Sequence, residues 1–127
     1  MARIENDKYY TSEKVVKHCI NKVEEVIGFD NISEVIEPSA GNGIFCKNIN
    51  KICFAFDIEP EGENIEKADF LKKDINYLEG RLIITNPPYG RCLNMAQKFF
   101  KKSIEIADYI AFILPISQLN NTNSFYE

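Results

Sequence analysis

The sequence predicts an α/β fold: a doubly wound parallel sheet of about five strands with helices on both faces. Two observations carry that prediction. Short β-branched or apolar runs alternate with stretches of helical periodicity. Two of those runs then end in unusual turns: Val35-Ile36 leads into Glu37-Pro38-Ser39-Ala40-Gly41-Asn42-Gly43, and Leu82-Ile83-Ile84-Thr85 leads into Asn86-Pro87-Pro88-Tyr89-Gly90. In such a sheet ligands sit beyond the strands' carboxyl ends, so both turns are expected to serve one crevice.

Taken in order, Val16, Cys19 or Ile20, Val23 and Ile27 recur at helical spacing, with Thr11 as the expected N-cap and Gly28 as terminator. Asp30-Asn31 turns the chain into a first strand over about 34–37. Gly41 and Gly43 precede Ile44-Phe45, which predicts a tight turn into a short helix over about 43–50, where a ligand can approach the backbone. Ile52-Cys53-Phe54-Ala55-Phe56 is continuously apolar up to Asp57, the pattern of a strand buried on both faces. A polar loop over 59–64 leads to Ile65-Glu66-Lys67, a short edge strand, and a helical turn is expected near 73–79, ending at Gly80. The fourth strand covers about 81–85, and the two prolines after Asn86 leave that residue at its carboxyl end. Residues 92–107 read as a helix with Met95, Ala96, Phe99, Phe100, Ile104 and Ala107 on its apolar side. A fifth strand follows at about 109–114, stopped by Pro115 and succeeded by a polar tail.

The 127 residues suffice for one domain, 1–127, with a real core. No apolar run is long enough for a membrane span, and the first ten residues are too polar for a signal peptide. The four cysteines (19, 46, 53 and 92) have no Cys-x-x-Cys spacing, so free, buried thiols in a reducing cytoplasm are expected. With the lone His18 inside a helical pattern, no metal set is expected. The net charge of −4 lacks the basic footprint of a chain bound along phosphates. Nucleic-acid contact would have to come from local cations such as Arg91, Lys98, Lys101 and Lys102, which otherwise read as a solvated helix face.

The strand ends offer Glu37, Asp57, Asp69 and Asn86. Asp57 follows Glu37 by 57 − 37 = 20 residues, about the offset at which an acid in nucleotide folds accepts ribose hydroxyls. The first turn is Gly-Asn-Gly without a lysine, so the pocket suits a cationic adenosine ligand better than a polyphosphate. S-adenosylmethionine fits, with its sulfonium and amino groups near the acids and its carboxylate facing the helix N-terminus near Ile44.

Glu-Pro-Ser-Ala-Gly-Asn-Gly, Asp57-Ile58, Ala-Asp-Phe-Leu and Asn-Pro-Pro-Tyr-Gly, in this order, resemble motifs I to IV of the amino-group (N6-adenine) DNA methyltransferases in their gamma arrangement. Tyr10-Thr11-Ser12 is similar to the segment that this family places before motif I, with Ser12 where proline is usual. The resemblance covers about residues 9–117 and implies the Rossmann-like fold of class I methyltransferases. It implies that Tyr10 and Thr11 contact the methionine part of S-adenosylmethionine, above a floor of Glu37, Pro38, Gly41 and Gly43. Asp57 would hold the ribose, Ile58 would pack on the adenine, and Asp69 would accept the adenine amino group with Phe70 beside it. At the target, the Asn86 oxygen and the Pro87 carbonyl would accept the two hydrogens of the adenine amine. Pro88 and Tyr89 would contact the base, Tyr89 by stacking after it leaves the duplex.

The family's sheet continues after strand five into an antiparallel hairpin, often followed by a target-recognition region. This sequence ends at Glu127, so it is expected to be a fragment or a minimal form lacking both. Strand five would then be an open apolar edge and a route to self-association. The implied function is methyl transfer to adenine N6 in DNA, as in a restriction-modification system or a phage. The alternatives are transfer to RNA adenine or protein glutamine, or a non-catalytic methyltransferase fold that binds or inhibits.

Overall fold

The computed structural model describes residues 11–114. Its elements in chain order are α1 (Glu13–Val26), β1 (Glu34–Glu37), α2 (Ile44–Asn48), β2 (Cys53–Asp57), β3 (Ile65–Lys67), β4 (Arg81–Thr85), α3 (Asn94–Ile106) and β5 (Tyr109–Phe112). The five strands form one sheet in the order β3-β2-β1-β4-β5, and every pairing is parallel. The chain steps outward from β1 through β2 to β3, then returns to lay β4 on β1's other side. The switch in strand order therefore falls between β1 and β4, as a doubly wound sheet requires.

Period-2 alternation divides the core. Val35, Leu82 and Ile84 join Val16, Val23, Phe45 and Ile49 beneath α1 and α2, while Ile36, Ile83 and Phe56 join Phe70, Phe99 and Ile106 beneath α3. At the amino-terminal edge Arg81 fastens the layers together. Its Nε donates to Glu34 at 2.8 Å, and its Nη1 donates to the carbonyls of Asn76 and Ile106 at 2.6 and 3.0 Å.

Several expectations need correction. Ser12, not Thr11, caps α1: its extended backbone lets its hydroxyl accept the Val15 N–H at 3.2 Å. Thr11 is thereby left to reach Asn86. No helix forms over 73–79, because the carbonyls of Lys73 and Asn76 are taken by the side chains of Lys102 and Arg81 instead of by a following turn. The start of β2 is also uncovered: Phe54 is 48% exposed and Ile52, just before the strand, 63%, so β2 is buried on both faces only from Ala55 onward. Helix α2 is shorter than expected, and β5 ends at Phe112. Pro115 and the tail lie outside the described residues.

The cysteines correct the free-thiol expectation. Cys46 on α2 and Cys53 at the start of β2 are joined in a disulfide with Cα atoms 5.6 Å apart. The helix folds back on the strand and brings together two residues that are distant from any Cys-x-x-Cys pattern. Cys19 is free and half-buried, and burial pushes its thiol above the ordinary range. The Cys92 side chain lies outside the described ones. The bridge removes the argument from free thiols to a reducing compartment.

Removing Arg81 strands a charge and two carbonyls. Arg81→Ala should lower unfolding free energy by about 3 kcal/mol in urea titrations. Lys17→Ala, whose partner Glu13 is exposed, should cost less than about 0.5 kcal/mol.

Candidate functional site: the crevice at the β1–β4 switch

Register sets the depth of each strand-end residue. Glu37 stands opposite Ala55, so Asp57 projects two residues beyond it. On the other side Ile36 stands opposite Ile83, which carries Thr85 and Asn86 past the end of β1. The glycine turn is tied to both neighbouring strands at this level: Thr85 of β4, fully buried, donates its hydroxyl to the Ser39 carbonyl at 3.3 Å, and Ala40 N–H donates to the Phe56 carbonyl of β2 at 2.9 Å.

The glycine turn is held by the acids around it. Asp57 accepts Gly41 N–H at 2.7 Å on one oxygen and Glu59 N–H at 2.8 Å on the other. Gly43 opens α2 in the left-handed region at φ 81°, which a side chain would strain. Glu37, only 1% exposed, reaches across to the N–H groups of Phe45 and Cys46 at 3.4 and 3.2 Å. Burial pushes its carboxyl up to about 8, against the pull of those two N–H groups and with a further push from Asp57. The site thus holds an acid that a nearby cation would ionise.

The sequence reading missed a supporting strap. Glu61 N–H donates to the Gly41 carbonyl at 3.0 Å, and Gly62 lies so close to the Asn42 carbonyl that a Cβ there would stand 2.6 Å from its oxygen. The polar loop after β2 therefore backs the glycine turn, and Gly62 between Pro60 and Asn64 was the one signal for it. Thr85, a hydroxyl closing an apolar run, was the signal for the cross-tie.

The remaining candidate residues are distributed as follows. Pro38 and Pro87 are buried, Pro88 is half-buried, and Ile58 is 55% exposed beside Asp57. Asp69, half-buried, caps its own turn by accepting Leu71 N–H at 3.0 Å. Phe70 points away from the crevice into the core, 1% exposed, with its ring centroid 5.1 Å from that of Phe99. Tyr10 lies outside the described residues. Asn86 donates from Nδ2 to the Thr11 hydroxyl at 3.3 Å and accepts on Oδ1 from the Tyr89 hydroxyl at 2.6 Å. Of the basic cluster, Arg91, Lys98 and Lys101 are exposed, whereas Lys102 turns inward to the carbonyls of Phe70 and Lys73.

Among the described residues no group of three His, Cys, Asp or Glu side chains is placed to hold a metal ion, and no helix is long and apolar enough to cross a membrane. No protein-family model matches the chain, and no curated protein matches it.

Glu37 gives the crevice a pH signature. The folded state retains a proton between about 4.5 and about 8 that the unfolded chain has lost, so stability falls as pH rises through that window. The slope should approach about 1.4 kcal/mol per pH unit, and Glu37→Gln should flatten it in denaturant titrations repeated across the range.

Proposed function

We propose that this chain is an S-adenosylmethionine-dependent methyltransferase acting on an amino group, with adenine N6 in DNA as its target. One observation carries the reading. The Asn86 carboxamide stands at the carboxyl end of β4 beside the sheet's switch point, next to a glycine turn flanked by two strand-end acids.

The residues fit the cofactor in their charges and openings. Asp57, and Glu37 once a cation ionises it, bring negative charge to a turn that contains no lysine, which suits a sulfonium and an ammonium group. Asp57, which accepts the Gly41 and Glu59 N–H groups, stands at the strand end where a carboxylate would meet a ribose hydroxyl. Ile58 offers an exposed apolar face to a purine ring. Bound there, S-adenosylmethionine supplies an electrophilic methyl group.

The chain's own contribution is to make a poor nucleophile competent. The lone pair of an aromatic amine is delocalised into its ring. Hydrogen bonds from its two hydrogens to the Asn86 oxygen and the Pro87 carbonyl favour a pyramidal nitrogen with a localised lone pair. Positioning and fixed dipoles of this kind supply most of the rate in a reaction that needs no enzyme nucleophile. The exposed Arg91, Lys98 and Lys101 are the local cations for phosphate contact.

Titration calorimetry with S-adenosylmethionine should give binding that Asp57→Ala weakens at least tenfold, about 1.4 kcal/mol. Because a cation favours ionised Glu37, affinity should rise as pH increases towards about 8, with proton release on binding. Asn86→Ala should retain that binding and lose at least about a hundredfold in methyl transfer to adenine-containing DNA. Binding that is insensitive to Asp57→Ala, or near-normal transfer by Asn86→Ala, would overturn the assignment.

A further inference from the structure

Asn86 is gripped at both ends of its amide, and the two grips differ in kind. The Thr11 hydroxyl takes the Nδ2 hydrogen at 3.3 Å from a residue 75 positions away in sequence. The Tyr89 hydroxyl gives its hydrogen to Oδ1 at 2.6 Å, from three residues away in the same turn. Tyr89 is steadied there from two sides: its hydroxyl lies 3.4 Å from the Ile113 carbonyl just past β5, and its own carbonyl accepts Met95 N–H at 3.1 Å on α3. The Tyr89 hydroxyl thus occupies the very acceptor on which amine recognition would depend.

We propose that Tyr89 gates the crevice: its phenol holds the Asn86 acceptor, and a target amine has to compete with it for the same oxygen. The inference rests on the amino-methyltransferase reading and adds a competition to it. A phenol hydrogen and an amine hydrogen bring like partial charge to one carboxamide oxygen, so each weakens the other's hold even where both lone pairs are used. Thr11 sharpens the competition by engaging Nδ2, which keeps Oδ1 on the phenol's side. The ring has a second use once displaced, as a flat apolar surface for the base. Gate and stacking platform are then two positions of one side chain, and the hydroxyl belongs to the first alone.

Tyr89→Phe separates the two uses, because it keeps the ring and removes the donor. In 15N-labelled full-length chain, the Asn86 side-chain NH2 signals (assigned by their loss in Asn86→Ala) should shift in Tyr89→Phe, with thermal melting as the control for folding. Unchanged Asn86 signals in a folded variant would overturn the gate. Single-stranded oligonucleotides carrying one deoxyadenosine, or deoxyinosine in its place, are the second probe. The deoxyadenosine oligonucleotide should bind Tyr89→Phe about threefold to tenfold tighter than wild type, the span of one neutral hydrogen bond. The deoxyinosine oligonucleotide, with a carbonyl in place of the amine, should show no such gain. Equal or weaker binding of the deoxyadenosine oligonucleotide, or the same gain for both, would overturn the proposal. Should wild type neither bind nor methylate adenine-containing DNA, the functional reading falls, and the Asn86 amide signals alone then decide whether the gate exists.

Discussion

Strand β1 is the shared member on which the rest of the structure depends. It is four residues long, yet it hydrogen-bonds β2 along one edge and β4 along the other. Because the chain leaves β1 for β2 on one side and later returns to β4 on the other, the connections diverge at its carboxyl end. The opening there is a consequence of topology, whichever ligand it serves. Val35 and Ile36 face opposite layers of the core, so one dipeptide anchors both. Slipping β1 by one residue would exchange those faces and carry Glu37 out of reach of α2's N–H groups.

The acids at this opening are tied into the backbone before any ligand is considered. Asp57 holds the glycine turn from one side and Glu37 holds the start of α2 from the other. Helix α2 has only five residues, too few to be stable by propensity. It is held by Phe45 in the core, by the bridge from Cys46 to Cys53, and by the Glu37 carboxyl. The raised Glu37 proton affinity is the cost of that arrangement: an acid placed to face a helix N-terminus has been taken out of water. The structural role and the proposed recognition role fall on the same carboxylates.

The strand ends were legible because proline and glycine punctuate a chain unambiguously. Asn86-Pro87-Pro88 has to end a strand, and Gly41 with Gly43 has to form a turn, so the crevice and the five parallel strands follow from a single line of sequence. What escaped was decided by distant partners. Ser12 and Thr11 are near-equivalent caps by residue type; in the fold Ser12 caps and Thr11 is held by Asn86, far along the chain. The segment over 73–79 has helical content by local pattern, but Lys102 and Arg81 claim its carbonyls. The Cys46–Cys53 bridge has the same origin, since no spacing rule anticipates a helix folding back on the next strand.

The Asn86 amide shows what such long-range ties do for a site. A carboxamide at a strand end is free to rotate about two bonds, and an acceptor that points at random cannot orient an amine. Here Nδ2 is held from the segment leading into α1 and Oδ1 from the turn that leads into α3. The turn itself is tied to the segment just past β5 by the Tyr89 hydroxyl, 3.4 Å from the Ile113 carbonyl. Three elements from separate parts of the chain must therefore be in place before the amide has a direction. This is preorganisation by fold, with no rigid residue at the centre. On the proposed reading, the four residues would act only at the end of β4, beside β1, with Thr11 from the segment before α1 holding the amide.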